Sequence, residues 1–166
     1  MAIAAGNPIV LNTPSPISLD RQYLLAEDSK TWKKGELCYL TSGTVTPVSG
    51  STGGSTVYGI FAEDQATSTS TSSVWVYPLV VGMRLQMAVT NNGSDAAVST
   101  ANIGIGYDAY TASNISYLDV NGTTGAQFRV VDLYTALNAE QAAFQSHTDS
   151  STPGIAIVEV ASLAVT

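Results

Sequence analysis

Apolar and polar residues alternate in short runs along most of the chain, and turn residues separate the runs. The alternation is clearest from Met83 to Val89, where Met83, Leu85, Met87 and Val89 fall on one face of an extended strand. Further runs rich in aromatic and β-branched residues are also typical of strands. These runs are residues 37–40, 44–48, 57–64, 74–81, 107–110, 117–120, 128–134 and 155–160. The pattern predicts an all-β fold, either a small β-barrel or a sandwich.

The intervals between these runs contain turn and loop signals. Ser42-Gly43 predicts a turn between the first two strands, and Asn121-Gly122 predicts a hairpin farther along the chain. Residues 49–56 and 65–73 are rich in Gly, Ser and Thr, so we expect both to be loops.

Helical signals are few. Asp95 is a candidate N-cap for one short turn that ends at Ala101. Residues 138–146 place three alanines and Phe144 near helical spacing, which predicts one short helical insertion between the last strands.

The first 31 residues differ from the rest, and we expect them to form an extended N-terminal arm and linker ahead of a β domain at 32–166. Prolines up to residue 19 disfavour helix, and large aliphatic residues are too frequent there for a solvated tail. The arm is either a strand on its own domain or an element that docks on a neighbouring subunit. The second alternative predicts that residues 1–19 become ordered only against a partner chain. The candidate partner-contact residues are Pro8, Ile9, Val10, Leu11, Pro14, Pro16 and Ile17.

Charge then limits the choice of partner. Charged residues make up 11% of the chain, the net charge is −7 and the isoelectric point is about 4.3. This balance argues against a phosphate-binding surface, so nucleic acid is not expected as a direct partner. The chain begins without the basic and apolar segments of a secretory signal, and no apolar run reaches the ~20 residues of a membrane helix. We expect a soluble protein made in a cytosol, with no membrane partner.

The chain also contains few side chains that carry out catalysis. His147 is the only histidine, which prevents a multi-histidine metal site within one chain. Cys38 lies in an apolar run without a basic neighbour, and the adjacent carboxylates Glu63 and Asp64 would point to opposite faces of a strand. We therefore expect no enzyme activity, no metal and no cofactor.

The order of the segments resembles that of the head decoration, or capsid cement, proteins of tailed bacteriophages. The segments that carry the resemblance follow the apolar arm and are residues 34–40, 43–48 and 57–64, the last of which ends in an acidic pair. The resemblance covers residues 33 to about 110. Phe61 departs from the pattern, since a small residue is commoner there, and the segment from Leu137 to Pro153 has no counterpart.

The resemblance implies a small barrel or tulip-like domain, often trimeric, that binds neighbouring major capsid subunits through an extended arm. It places the protein on the capsid exterior of the virion, after synthesis in the cytoplasm of the bacterial host. The arm residues named above would then contact the major capsid protein.

An alternative is a carbohydrate-binding or adhesion module that uses exposed tryptophan and tyrosine rings. Trp32, Trp75 and eight tyrosines supply the rings. Sugar binding predicts a solvent-exposed Trp75 or Tyr77 on a concave face. A cement protein predicts that apolar exposure concentrates on the arm.

Overall fold

A computed structural model describes residues 6–12, 20–53, 55–133 and 154–162, and the regular structure in these ranges is almost all β-strand. The strands are β1 (Ile9–Asn12), β2 (Gln22–Ala26), β3 (Leu37–Thr41), β4 (Thr44–Pro47), β5 (Gly50–Ser51), β6 (Gly59–Phe61), β7 (Ser73–Pro78), β8 (Arg84–Asn91), β9 (Ser94–Asp95), β10 (Gly106–Ala112), β11 (Ile115–Asp119), β12 (Phe128–Leu133) and β13 (Ile155–Val160). The all-β prediction is confirmed. The helical insertion predicted at residues 138–146, and His147, lie outside the described residues.

The first unit of the fold is a closed barrel in which β2, β4, β3, β6 and β7 are neighbours in that order. β2 and β4 are parallel, and the other pairs are antiparallel. Trp32 stacks on Phe61 inside the barrel, with ring centroids 4.5 Å apart. The barrel is filled by buried apolar side chains, namely Ala26, Trp32, Cys38, Val45, Phe61, Val74 and Val76.

The barrel begins earlier than the sequence pattern indicates. β2 lies within the stretch expected to be arm and linker, yet it closes the barrel by pairing with both β4 and β7. Ala26 points into the core while Tyr23 and Leu25 point out. Leu24 also packs against the barrel core. Because residues on both faces of β2 are apolar, the segment shows no clear alternation of apolar and polar positions.

The second unit is a larger sheet with the order β1-β8-β11-β10-β12-β13, in which β13 also pairs with β8. The pairings of β8, β11, β10, β12 and β13 therefore form a ring. Met83, Leu85, Met87 and Val89 are all buried, which confirms the alternation predicted there. Ala88 is buried as well, opposite Ile155 of β13.

A shared apolar core joins the two units, with Leu37, Val57 and Ile60 from the first and residues such as Leu85 and Phe128 from the second. Residues 49–56, expected to be a loop, belong to this junction. β5 pairs with β10, and the buried side chain of Thr52 accepts a hydrogen bond from the Ala109 N–H (3.1 Å).

Two local predictions are wrong. Asn121-Gly122 does not form a hairpin, because β10 lies between β11 and β12 in the sheet; the β10–β11 turn is instead Ser113-Asn114, with φ of 52° and 61°. Asp95 does not cap a helical turn, since it lies in β9. The 3-10 turn at Thr100–Asn102 is capped by Ser99, whose Oγ accepts a hydrogen bond from the Ala101 N–H.

Candidate functional site

The N-terminal segment forms a strand on its own domain. β1 pairs antiparallel with β8, and Val10 is half-buried against the core while Pro8 is buried. The expectation that this segment becomes ordered only against a partner is therefore wrong for Ile9–Asn12. Main-chain pairing with β8 and the packing of Val10 hold the strand within the chain. Three other candidate residues, Pro14, Pro16 and Ile17, lie outside the described residues.

β1 nevertheless exposes apolar side chains at the edge of the sheet. It pairs only with β8 among the described strands, so its other main-chain edge is unpaired there. Ile9 is 54% exposed and Leu11 is 46% exposed. An unpaired strand edge flanked by exposed apolar side chains is a template for pairing with another chain.

Asn7 fixes the start of β1 at the junction between the two units. Its Nδ2 donates to the carbonyl oxygens of Lys34, before β3, and of Asn114, before β11, both at 3.1 Å. Its Oδ1 accepts from the Ser116 N–H at 3.0 Å. A side chain at Gly35 would approach Asn7 Cβ to 2.8 Å, so this glycine permits the close packing. The entry to β1 is held by specific hydrogen bonds to both units.

A second apolar surface lies on the outside of the barrel, where Tyr23 and Leu25 of β2 are exposed beside Trp75 of β7. Trp75 is exposed and Tyr77 is half-buried. The concave face that the sugar-binding alternative also requires stays a prediction. Tyr23 was missed because it lies in the expected linker. The spacing of Arg21, Tyr23 and Leu25 at every second residue was the available signal. Exposed large apolar side chains thus lie on β1, on the barrel and at Val81, Ile103 and Ile105, so within the described residues apolar exposure does not concentrate on the arm.

The described side chains that could take part in catalysis are either buried in the core or hydrogen-bonded to the backbone. Cys38 is buried in the barrel, and burial raises the pKa of its thiol far above the usual range, which disfavours the reactive thiolate. Glu63 accepts a hydrogen bond from the Trp75 N–H, and Asp64 accepts one from the Lys34 N–H. Within the described residues, no three His, Cys, Asp or Glu side chains cluster as metal ligands would.

Glu36 is a buried carboxylate at the junction between the units. Its Oε2 accepts hydrogen bonds from the Lys33 N–H (3.0 Å) and from Asn114 Nδ2 (3.2 Å). Burial raises the pKa of Glu36, and these two hydrogen bonds lower it by less. Because Asn114 also accepts from Asn7 through its carbonyl oxygen, Glu36 belongs to the same polar network as the entry to β1.

Two further buried carboxylates hold the loop after β11. Asp108 accepts hydrogen bonds from the N–H groups of residues 124, 125 and 126, and Asp119 accepts from those of Asn92 and Asn121. These bonds shape residues 120–127. They also explain why Asn121-Gly122 turns the chain without pairing the strands on either side.

Comparisons of the chain with protein-family models, with curated proteins and with solved structures found no match. In the part of the chain that the structure describes, no helix has the length and apolar character needed to cross a membrane. The features that bear on function are therefore the exposed apolar side chains beside β1 and those on the outside of the barrel.

Proposed function

We propose that this chain is a structural decoration, or cement, protein on the outer surface of a tailed-phage head. It binds neighbouring major capsid subunits and stabilises the contacts between them, after synthesis in the cytoplasm of the bacterial host. The observation that carries the proposal is the outer edge of β1, which pairs with no other strand in the described part of the chain, together with the exposed side chains of Ile9 and Leu11 beside it.

β1 supports binding by strand addition. A capsid segment that pairs with its outer edge would form main-chain hydrogen bonds and cover Ile9 and Leu11. Asn7, Pro8 and Val10 already hold the strand in place, so little conformational entropy is lost when the partner binds. Repetition of this weak contact around a symmetric shell would add avidity.

The distribution of charge supports a protein partner. Lys30 pairs with Glu27, Lys33 with Asp64, and both Arg84 and Arg129 with Glu159. These cations are paired with carboxylates on separate parts of the surface and do not form a basic patch for phosphates. The net charge of −7 would keep unassembled copies soluble.

The resemblance to decoration proteins adds a trimeric state to the proposal. That state rests on the resemblance alone. Sedimentation equilibrium should therefore detect a species of three chains. A monomer of 17.2 kDa at high micromolar concentration would exclude a preformed trimer.

Binding to phage heads tests the proposed function. Undecorated heads of the phage that encodes the chain should bind the purified protein in co-sedimentation and then release less genome on heating. The double substitution Ile9→Lys and Leu11→Lys places charge beside the β1 edge without altering the inward residue Val10. It should reduce both binding and protection.

The matched control is Ile105→Lys, because Ile105 is 43% exposed and lies away from β1 in the sequence. This variant should bind and protect as the parent does. If the double variant binds and protects as well as the parent, β1 is not the docking edge. If the parent itself gives no binding, the cement function is rejected.

A further inference from the structure

The exposed barrel surface has the composition of a small-ligand site. We name Arg21, Tyr23 and Trp75 the barrel-face cluster. Tyr23 and Trp75 are direct cross-strand neighbours on β2 and β7, with ring centroids 4.8 Å apart. Arg21 lies over the Trp75 ring, 5.0 Å from its centroid. The three side chains support one another on adjacent strands of a closed barrel.

The geometry leaves one ring available for stacking. The planes of Tyr23 and Trp75 are inclined at 42°, so the two rings form a shallow corner. Arg21 occupies a face of Trp75, whereas Tyr23 is 60% exposed. A flat apolar ligand would therefore contact Tyr23 and meet Trp75 as the side wall.

Polar groups stand at the rim of this corner. The guanidinium of Arg21 offers hydrogen-bond donors above Trp75. The carboxylate of Glu63 lies beside β7, where its Oε1 accepts a hydrogen bond from the Trp75 N–H at 3.2 Å. An apolar platform with donors and an acceptor at its edge matches a molecule that has one C–H face and a rim of hydroxyl groups.

The size of the surface also points to a small ligand. Aromatic side chains present ~150–250 Å² each, so the exposed parts of Tyr23 and Trp75 together offer roughly 200 Å². An area of this size is close to what one or two sugar rings cover.

We propose that the barrel-face cluster binds a glycan, with one pyranose ring stacked on Tyr23 against Trp75. Arg21 donates hydrogen bonds to the sugar hydroxyls, and Glu63 accepts one from them. The site lies on the barrel, whereas the proposed capsid contact is β1 of the other unit. The protein therefore carries a glycan-binding surface in addition to its docking strand.

Tryptophan fluorescence reads this site selectively, because Trp75 is 37% exposed whereas Trp32 is buried in the barrel. The full chain would be titrated with maltotetraose, chitotetraose and tri-galacturonic acid, which differ in hydroxyl arrangement, acetamido groups and charge. At least one should change Trp75 emission saturably, with a Kd on the order of 1 mM. Calorimetry on the same pair would confirm the affinity.

Variants at Tyr23 separate stacking from other contacts. Tyr23→Phe keeps the ring and should bind like the parent, whereas Tyr23→Ala should weaken binding about tenfold because the platform is lost. Tyr23 is largely exposed, so neither change should disturb the barrel core. Ile105→Ala, an exposed apolar position on the second sheet, is the matched control and should bind like the parent.

Absence of saturable binding by all three sugars up to about 10 mM, where a 1 mM site would be nearly full, would overturn the proposal. Equal binding by the parent and by Tyr23→Ala would also overturn it. Because the titration uses no phage heads, its failure would leave the evidence on capsid binding unchanged.

Discussion

At the scale of single residues, the junction between the two units depends on polar side chains that no hydrophobic pattern marks. Asn7, Glu36 and Gln127 each bond to a backbone or side chain far away in the sequence. Such contacts were not predictable, because a polar residue in a loop and one that bridges two units look alike in the sequence. The prediction of no enzyme activity required only the residue inventory, and it stays a prediction.

Glu36 should make stability depend on pH. Burial raises its folded-state pKa above 4.5, so the folded state holds the proton more tightly than the unfolded state. Stability should therefore fall as pH rises from 4.5 through the folded-state pKa, where the buried group ionises. Relative to the parent, Glu36→Gln should gain stability across this window.

Urea denaturation at several pH values from 4 to about 8 would measure the free energy of unfolding of the parent and of Glu36→Gln. Subtracting one from the other at each pH removes the contributions of the other carboxylates, which both proteins share. A difference in the free energy of unfolding that stays constant with pH would contradict the assignment.

Gln127 should contribute strongly to the junction. Its Oε1 accepts from the Val57 N–H and its Nε2 donates to the Val57 carbonyl, both at 2.8 Å and both buried. Gln127→Ala leaves two buried backbone groups without these partners and should cost about 2–4 kcal/mol of unfolding free energy. Thr123→Ala, in the exposed part of the same loop, should cost less than ~0.5 kcal/mol. Equal urea midpoints for the two variants would show that Gln127 does not join the units.

At the scale of elements, strands with regular alternation were predictable and those without it were not. The alternation in residues 83–89 predicted which face of β8 is buried, and Ser42-Gly43 predicted the turn between β3 and β4. β2 was missed because its outward positions are apolar, and β5 was missed because Gly50-Ser51 resembles a loop. The Asn121-Gly122 signal was overridden by the hydrogen bonds to Asp108 and Asp119.

The β3–β4 turn offers a test of local turn chemistry. Ser42 and Gly43 have φ of 51° and 81°, and Thr41 pairs with Thr44 across the turn. Asparagine tolerates this conformation better than serine, so Ser42→Asn should stabilise the fold by ~0.5 kcal/mol. Ser49→Asn is the matched control, since Ser49 is exposed and has no positive φ. Thermal melting should show a higher midpoint for the first variant only; the same shift in both would reject the turn argument.

At the scale of the whole molecule, the sequence predicted an all-β protein, either a small barrel or a sandwich, but not its division into a closed barrel and a second sheet. The division depends on long-range pairings, such as β8 with β13, that no local pattern specifies. The arm was recognised by its apolar residues, but its position on β8 required the structure. Its outer edge pairs with no other described strand, and partner contact through this edge stays a prediction.

The most direct test of the cement function is cryo-electron microscopy of phage heads incubated with the protein. We expect density for the barrel and the second sheet on the outer surface, with a strand of the major capsid protein paired to the outer edge of β1. Ile9 and Leu11 should be covered by that strand. Heads without added density, or a bound chain whose β1 edge faces solvent, would contradict the account.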